Sequence, residues 1–378
     1  MKIKKKEILI YISLTLYAVA NFFIRTSFYS DSNSQLFKFM TIISVALMLS
    51  NVLFEKSFNI KKILGFLFLA VLFWIDSIPS GWHDFFYIFI IIWGCRNCDF
   101  KKIIKYLITL IGVLVIIMFG AYVLGIANND VHIQGSRIRS SLGYTSWTIL
   151  PFQLFSLSVF YFYVNDKRFF IDRILIYAVN YFVYLQTDVK TTLPLLIICD
   201  ILMALGRKKN FHWNKLKKFV FIPELAALIS YIVFAVYLKF DSVKPILNVV
   251  FNYRLYNVAR AIAAYDVTWL SNPYAEWFAS ETEYLIVDNS YYYILLTWGI
   301  LGLILVLGIY SYIIWYSIKI RDNKLFLITL VYVFISLFWS RIFVLSEALM
   351  LIVFSRAFSN KRFYMLSPSR IEINKKME

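Results

Sequence analysis

The sequence contains little of what a metal centre or a disulfide framework requires. Its 378 residues include three cysteines and three histidines. Cys95 and Cys98 have the spacing of a redox or metal-binding pair, but no second pair completes a zinc site. We interpret them as two unpaired thiols near a cytoplasmic helix end. Since His83, His132 and His212 form no metal-ligand cluster, the sequence predicts neither a metal site nor a disulfide framework.

The sequence also lacks the motifs of several enzyme and transporter classes. It has no Walker motif, so nothing in it indicates ATP as an energy source. It has no internal repeat, although many transporters are built from inverted repeats. No Asp-x-Asp pair lies in a predicted outer segment, where it would hold a divalent ion against a sugar nucleotide. We interpret Glu281-Thr282-Glu283 as a solvated stretch, and we predict no cofactor.

Apolar residues dominate what is present. Hydrophobic residues make up 61% of the chain, which indicates an all-α, polytopic integral membrane protein. The formal net charge is +17, but the basic residues lie in short clusters between apolar runs, as in cytoplasmic membrane loops. We therefore do not predict nucleic acid as a partner. No small-residue cleavage site follows the first apolar run, so we expect that run to be retained as a span.

The apolar runs predict about twelve transmembrane helices, since a span needs about 20 apolar residues. A long polar interruption, residues 239–288, separates an N-terminal bundle (1–238) from C-terminal helices and a basic tail (289–378). The predicted spans lie near residues 7–24, 36–54, 63–78, 82–95, 106–127, 147–164, 174–187, 192–205, 219–238, 289–317, 325–340 and 342–357.

The distribution of basic residues predicts the orientation of these spans. Cytoplasmic loops of membrane proteins are enriched in Lys and Arg. With both termini in the cytoplasm, 29 of the 39 basic residues fall inside, and the long loop is extracellular. The sequence therefore predicts a multi-pass protein of the cell membrane. The basic residues left outside are Arg25, Lys38, Arg137, Arg139, Lys190, Lys239, Lys244, Arg254, Arg260 and Arg341.

Two of the outer segments have the composition of anion-binding sites. In residues 135–144, Arg137 and Arg139 lie among serines and glycines, and guanidinium groups grip phosphate with two hydrogen bonds. A solvated loop is the alternative interpretation. Lys190, between Asp188 and two threonines, either snorkels to the membrane interface or contacts a phosphate or lipid headgroup.

The long loop contains one amphipathic segment, residues 252–262. Its apolar residues fall on one face at helical spacing, and Arg254 and Arg260 flank that face. We predict a helix lying on a membrane surface. Its arginines would contact anionic lipids, or Arg254 would lie over a lipid-linked phosphate. The apolar face consists of Leu255, Val258, Ala259 and Ile262.

Asp288 lies where the chain enters the tenth predicted span. Desolvation at this position raises the pKa of a carboxyl group, as a general base often requires. Asp is also a favoured N-cap residue. The two roles are compatible, and we keep both.

Together these segments resemble the Wzy-type polysaccharide polymerases, which are related to the O-antigen ligases. The resemblance extends over most of the chain in layout and rests on short motifs. They are Arg-Ser-Ser-Leu-Gly-Tyr (139–144), Lys190, Tyr253-Arg254-Leu255, Asp288-Asn289-Ser290-Tyr291 and Trp298-Gly299-Ile300-Leu301-Gly302.

The resemblance implies an activity and its substrates. Such enzymes join oligosaccharide repeat units carried on undecaprenyl pyrophosphate, at the outer face of the membrane, into capsular polysaccharide or exopolysaccharide. They need no metal or nucleotide, because the leaving group is already a pyrophosphate. The expected partners are the lipid-linked oligosaccharide and membrane lipids, together with a chain-length regulator and a flippase.

The resemblance also implies roles for individual residues. Asp288 is the expected base, at a position where the ligases have histidine, and Arg254 is the second catalytic residue. Lys190 stands where ligases have arginine, which keeps the charge but loses the two-pronged grip. The pyrophosphate-binding residues are expected to be Arg137, Arg139, Lys190 and Arg260, and the substrate-binding residues Tyr253 and Asn289.

Two other functions stay open. A flippase for lipid-linked oligosaccharides, or another polysaccharide transporter, suits twelve spans equally well. It would place cations inside its transmembrane cavity and keep its outer loops short. Another membrane transferase is the third interpretation, although the His-Asp signature of acyl transfer is missing.

Overall fold

The computed structural model describes residues 5–53, 60–79, 83–134, 137–165, 170–205, 216–251, 253–272 and 287–359. Within these residues the chain is helical almost throughout, so the predicted all-α class is confirmed apart from one hairpin. The described helices are α1 (Lys5–Phe23), α2 (Asp31–Leu53), α3 (Ile60–Ser77), α4 (Asp84–Cys95), α5 (Phe100–Val123), α6 (Ile149–Val164), α7 (Phe170–Thr187), α8 (Thr192–Leu205), α9 (Ile222–Lys239), α10 (Lys244–Val250), α11 (Arg254–Ala264), α12 (Ser290–Thr297), α13 (Gly299–Ile320), α14 (Asn323–Ile335) and α15 (Met350–Phe354).

The apolar helices indicate a membrane protein. Four helices of the described ranges are long and apolar enough to cross a bilayer: α2, α5, α13, and α9 together with the 3-10 turn before it. Six shorter apolar helices lie within α1, α3, α4, α6, α8 and α14. The number of spans and their orientation stay predictions.

The last third of the chain differs from the predicted spans. The predicted span 289–317 is broken at Trp298 into α12 and α13. Residues 336–349, predicted to belong to two spans, are irregular, although none of them is exposed. Such backbone is tolerated at membrane depth where it is buried in protein, because its polar groups then find partners. Here Ser290 donates from its backbone amide to the carbonyl of Ser336.

A short β-hairpin forms where we predicted a loop. Strands β1 (Val131–Gln134) and β2 (Arg137–Ser140) are antiparallel, and the register pairs His132 with Arg139. Apolar and polar residues alternate along both strands, and Gly135-Ser136, outside the described residues, separates them. Alternation on both sides of a two-residue Gly-Ser connection predicts a hairpin, and our sequence analysis missed it.

The hairpin is attached to the bundle by the turn that follows it. Leu142 and Gly143 both have positive φ, 52° and 89°. The φ of Gly143 is one that residues with a Cβ atom rarely adopt, and a Cβ atom there would also lie 2.7 Å from Cε of Met118 on α5, so the turn favours glycine. The backbone amide of Ser27 donates to the carbonyl of Gly143 (2.8 Å), which joins the turn to the end of α1.

The long loop packs onto protein around its amphipathic segment. The predicted amphipathic helix is present as α11, but its apolar residues Leu255 and Val258 are buried against Phe234 and Tyr237 of α9 and Tyr292 of α12. The expectation that this face lies on the membrane is therefore wrong. Periodicity reveals an apolar face but not what covers it. The Glu281-Thr282-Glu283 stretch lies outside the described residues.

Candidate functional site

The first element of the site is an ion pair between Arg254 and Asp288. Nε of Arg254 donates to Oδ2 of Asp288 at 3.0 Å. The guanidinium carbon of Arg254 also lies 5.7 Å from the ring centroid of Phe338, in the irregular segment. The pair joins the start of α11 to the residue before the N-cap of α12, so packing of these helices fixes both side chains.

Capping of α12 belongs to Asn289 rather than to Asp288. Oδ1 of Asn289 accepts from the backbone amides of Tyr291 and Tyr292, and its Nδ2 donates to Oγ of Ser230 at 2.8 Å. The capping role that we considered for Asp288 is therefore wrong. A substrate contact by Asn289, as predicted, has to replace or share one of these bonds. The carboxylate of Asp288 takes no part in capping and pairs with Arg254.

Asp288 is placed to exchange a proton. Burial raises the pKa of its carboxyl group above the usual value, and the positive charge of Arg254 opposes that rise. Arg341 and Arg139 act in the same sense as Arg254 from further away. Such a carboxylate is a stronger base than an ordinary aspartate, and its negative charge is compensated by the neighbouring arginines while it is deprotonated.

The second element joins the hairpin to α7. Nε of Arg137 donates to the carboxylate of Asp188, and its Nη2 donates to the backbone carbonyl of the same residue at 2.8 Å. Asp188 follows the last residue of α7 and has a φ of 48°. Burial raises the pKa of Asp188, but the hydrogen bond and charge of Arg137 outweigh this and hold it below its usual value. Arg137 therefore fastens β2 to the end of α7.

Arg139 lies in electrostatic range of both ion pairs. It is buried, and its guanidinium carbon is 5.4 Å from the ring centroid of Trp147. Burial lowers the pKa of Arg139, and the charge of Arg137 lowers it further, while Asp188 and Asp288 oppose this. Nε of Arg139 has no hydrogen-bond partner among the described residues. A buried guanidinium with a donor to spare is suited to bind an anion.

A third group lies around Glu347, which is fully buried. Its Oε1 is 3.7 Å from Nε of Arg25 and 3.8 Å from Nη1 of Arg341. Sequence analysis counted both arginines among the outer cations but assigned them no role. The sequence does contain a signal for this group. Glu347 lies inside an apolar run, and Arg25 and Arg341 had no assigned partner; because buried charges are usually paired, these residues could have been expected to meet.

The remaining predicted residues have other surroundings. Lys190 is exposed and influences Asp188 through its charge. Arg260 lies 5.9 Å from the ring centroid of Tyr256, on the same helix. Tyr253 is exposed and precedes α11 with a φ of 59°. The structure thus brings Arg137, Arg139, Arg254 and Asp288 into one network, to which it adds Asp188 and Arg341.

The network can bind an anionic group and accept a proton. Its arginines outnumber its carboxylates, so a phosphate is attracted to it. In the described part of the chain no group of three or more His, Cys, Asp or Glu residues is arranged to hold a metal ion. No family model, no curated protein and no solved structure matches this chain.

Proposed function

We propose that the chain is a polymerase that joins oligosaccharide repeat units carried on undecaprenyl pyrophosphate. Its product is capsular polysaccharide or exopolysaccharide, formed at the outer face of the cytoplasmic membrane. The observation that carries this proposal is the ion pair of Arg254 with Asp288, in electrostatic range of Arg139. These three residues come from separate motifs of the resemblance to Wzy-type polymerases, and they meet in one network.

The arginines stabilise the leaving group. When a growing chain is transferred, the bond between its anomeric carbon and a pyrophosphate oxygen breaks, and the electron pair stays on the pyrophosphate. Fixed positive charge at that oxygen lowers the barrier, because negative charge develops there in the transition state. Arg139 has an unpaired Nε, so we assign it to the pyrophosphate. Arg137 is held by Asp188 and positions the hairpin.

Asp288 acts as the base. A hydroxyl oxygen of the acceptor sugar forms the new glycosidic bond, and its proton passes to the carboxylate of Asp288. Arg254 couples the two events. When its guanidinium turns towards the pyrophosphate, Asp288 loses the nearest charge that holds its pKa down, and its basicity rises.

The setting of this reaction is part of the proposal. About twelve spans place both termini in the cytoplasm and the loop of residues 239–288 outside, and the span number rests on the requirement for about 20 apolar residues per span. The loop then meets lipid-linked units after they have crossed the membrane. Membrane lipids, a flippase and a chain-length regulator complete the list of partners.

One observation favours a flippase as the second candidate. Arg25 and Arg341 contact the fully buried Glu347, and a flippase for a pyrophosphate-linked glycan needs cations within its bundle. The pairing also has a simpler consequence, because Glu347 holds both arginines at fixed positions and compensates one of their two positive charges. The polymerase accounts for Asp288 as well, so we place it first.

The decisive experiment is to size the lipid-linked and surface glycans in a strain that lacks this protein. Single repeat units displayed outside, without long polymer, establish the polymerase. Single units trapped on the cytoplasmic side establish the flippase instead. Complementation with Asp288→Asn tests the site, and Asp241→Asn is the matched control. It removes an exposed carboxylate of the same loop, which pairs with Lys244, and long polymer is expected to persist.

A further inference from the structure

The face of the hairpin opposite its arginines exposes three apolar side chains, while Ser140 on the same face is buried. Ile133 and Ile138 are paired across the two strands, and their exposed fractions are 69% and 65%. Val131 lies on the same face and is 53% exposed. Arg137 and Arg139 project from the other face, towards Asp188 and Trp147. The hairpin is therefore a thin strip with cations on one side and branched aliphatic side chains on the other.

The end of α5 that precedes the hairpin also exposes apolar side chains. Ile116 of this helix is 72% exposed, and Leu124, directly after the helix, is 75% exposed. α5 is one of the helices long and apolar enough to cross a bilayer, so its exposed side chains face lipid. Ile126 remains at the helix end, since its backbone amide donates to the carbonyl of Ala121 (2.9 Å). The hairpin begins five residues later, after the exposed polar residues 128–130, so it lies near this apolar end of α5.

We propose that the hairpin inserts this apolar face into the lipid bilayer at the end of α5, with Ile133 and Ile138 among the acyl chains. The position of the hairpin selects lipid as the occupant, because it follows closely a helix long and apolar enough to span a bilayer, at an end that exposes Leu124 and Ile126. With its apolar face in lipid, the cations of the opposite face lie near the level of lipid phosphates, as in helices that lie at a membrane interface. This surface goes beyond the proposed polymerase activity and does not depend on it.

The insertion determines the depth of the anion-binding network. Because Arg139 and Ile138 are neighbours on opposite faces of one strand, burying the isoleucine in lipid holds the arginine about one strand thickness away, near the headgroups. A phosphate carried on a membrane lipid then reaches Arg139 by moving sideways in the membrane.

The test uses spin labels in vesicles of phosphatidylethanolamine and phosphatidylglycerol. Ile133→Cys and Ile138→Cys are labelled separately in a Cys98→Ala background, because Cys95 and Cys199 are buried. Collisions with oxygen, which concentrates in lipid, are compared with collisions with a water-soluble nickel chelate. Ile116→Cys on α5 is the lipid control, and Ser242→Cys in the exposed loop is the water control.

We expect the oxygen-to-nickel collision ratio at residues 133 and 138 to exceed that at residue 242 several-fold and to approach that at residue 116. A ratio equal to that at residue 242 would place the face in water and overturn the proposal. Low collision rates with both reagents would show that protein covers the face, and this also overturns it. Two independent label positions guard against local damage by either substitution.

Discussion

Arg254 and Asp288 are 34 residues apart in the chain, yet Nε of the first lies 3.0 Å from Oδ2 of the second. The pair joins two helices whose apolar faces pack together, so its geometry is fixed by Leu255 and Val258 beneath it. A cation next to a base can bind a phosphate, and its position also changes the pKa of that base.

Asp288→Asn keeps the size of the side chain but removes the proton acceptor. Loss of a general base typically costs a factor of about 100 to 10,000 in rate. We therefore expect long polymer to disappear while the amount of protein in the membrane stays unchanged. Gel analysis of surface glycan and quantification of tagged protein measure the two effects. Arg254→Ala is expected to act in the same way, and normal polymer in either variant would remove that residue from the site.

The rate of polymerisation is expected to depend on the charge state of Asp288. A base must be deprotonated, so the rate falls as the pH is lowered through its pKa. Because burial raises that pKa, the fall begins at a higher pH than for an ordinary aspartate. Arg341 lowers the pKa through its charge, so Arg341→Gln is expected to move the fall to higher pH.

Initial rates measured on lipid-linked repeat units in vesicles across the acid range check this expectation. Lys244→Gln, at an exposed lysine of the long loop, serves as the control and leaves the profile in place. An unchanged profile in Arg341→Gln would show that Asp288 does not limit the rate at acid pH.

Arg137 and Arg139 are two residues apart but are expected to respond differently. Arg137→Ala removes two hydrogen bonds to Asp188, and bonds to charged groups contribute about 1.5–3 kcal/mol each when well buried. We expect a lower thermal unfolding midpoint in detergent. Asp188→Ala removes only the bond to the carboxylate and should also lower it, and the double variant should fall short of the sum. Additive losses would show that the two residues do not act as a pair.

Arg139→Ala is expected to abolish polymer with a smaller loss of stability than Arg137→Ala, because it removes a ring contact with Trp147 but no hydrogen bond at Nε. Arg139→Lys keeps the charge without the fork of donors and should recover part of the activity. Full stability together with full activity in Arg139→Ala would refute its assignment to the pyrophosphate.

Glu347→Gln is expected to destabilise the bundle. It leaves Arg25 and Arg341 without their buried counter-ion, and breaking a buried pair typically costs about 3–5 kcal/mol. We expect less protein in the membrane and a lower unfolding midpoint. Adding Arg341→Met should restore part of the loss, because one unpaired cation is then removed. If the single variant is as stable as the native protein, Glu347 is not charged in the folded state.

The helical class and the residues Arg254 and Asp288 could be predicted from the sequence, because each depends on a local pattern of residues. Helical spacing identified α11, and the boundary of an apolar run identified Asp288. Their pairing was beyond reach, since it depends on how α11 and α12 pack. For the same reason the apolar face of α11 was assigned to lipid, whereas Phe234 and Tyr292 cover it.

Other features depend on partners far apart in the chain. In the motif that contains Asp188 we considered only Lys190 as a functional residue. The folded hairpin shows that Arg137 binds Asp188. The irregular backbone of residues 336–349 was hidden by its apolar composition, which satisfies a hydropathy window whether or not a helix forms.

The long loop also supplies hydrogen-bond acceptors to the start of α13. The backbone amides of Ile300 and Leu301, in the first turn of α13, donate to the carbonyls of Thr268 (3.0 Å) and Trp269 (3.1 Å). Amides at a helix start have no partner within the helix. A Cβ atom at Gly299 would lie 2.3 Å from the carbonyl oxygen of Leu270, so only glycine permits this approach. Lifting this stretch away would leave two amides at the start of α13, a helix long and apolar enough to cross a bilayer, without these partners. Residues 268–270 are therefore a fixed part of the helical bundle and not a segment that opens and closes over it.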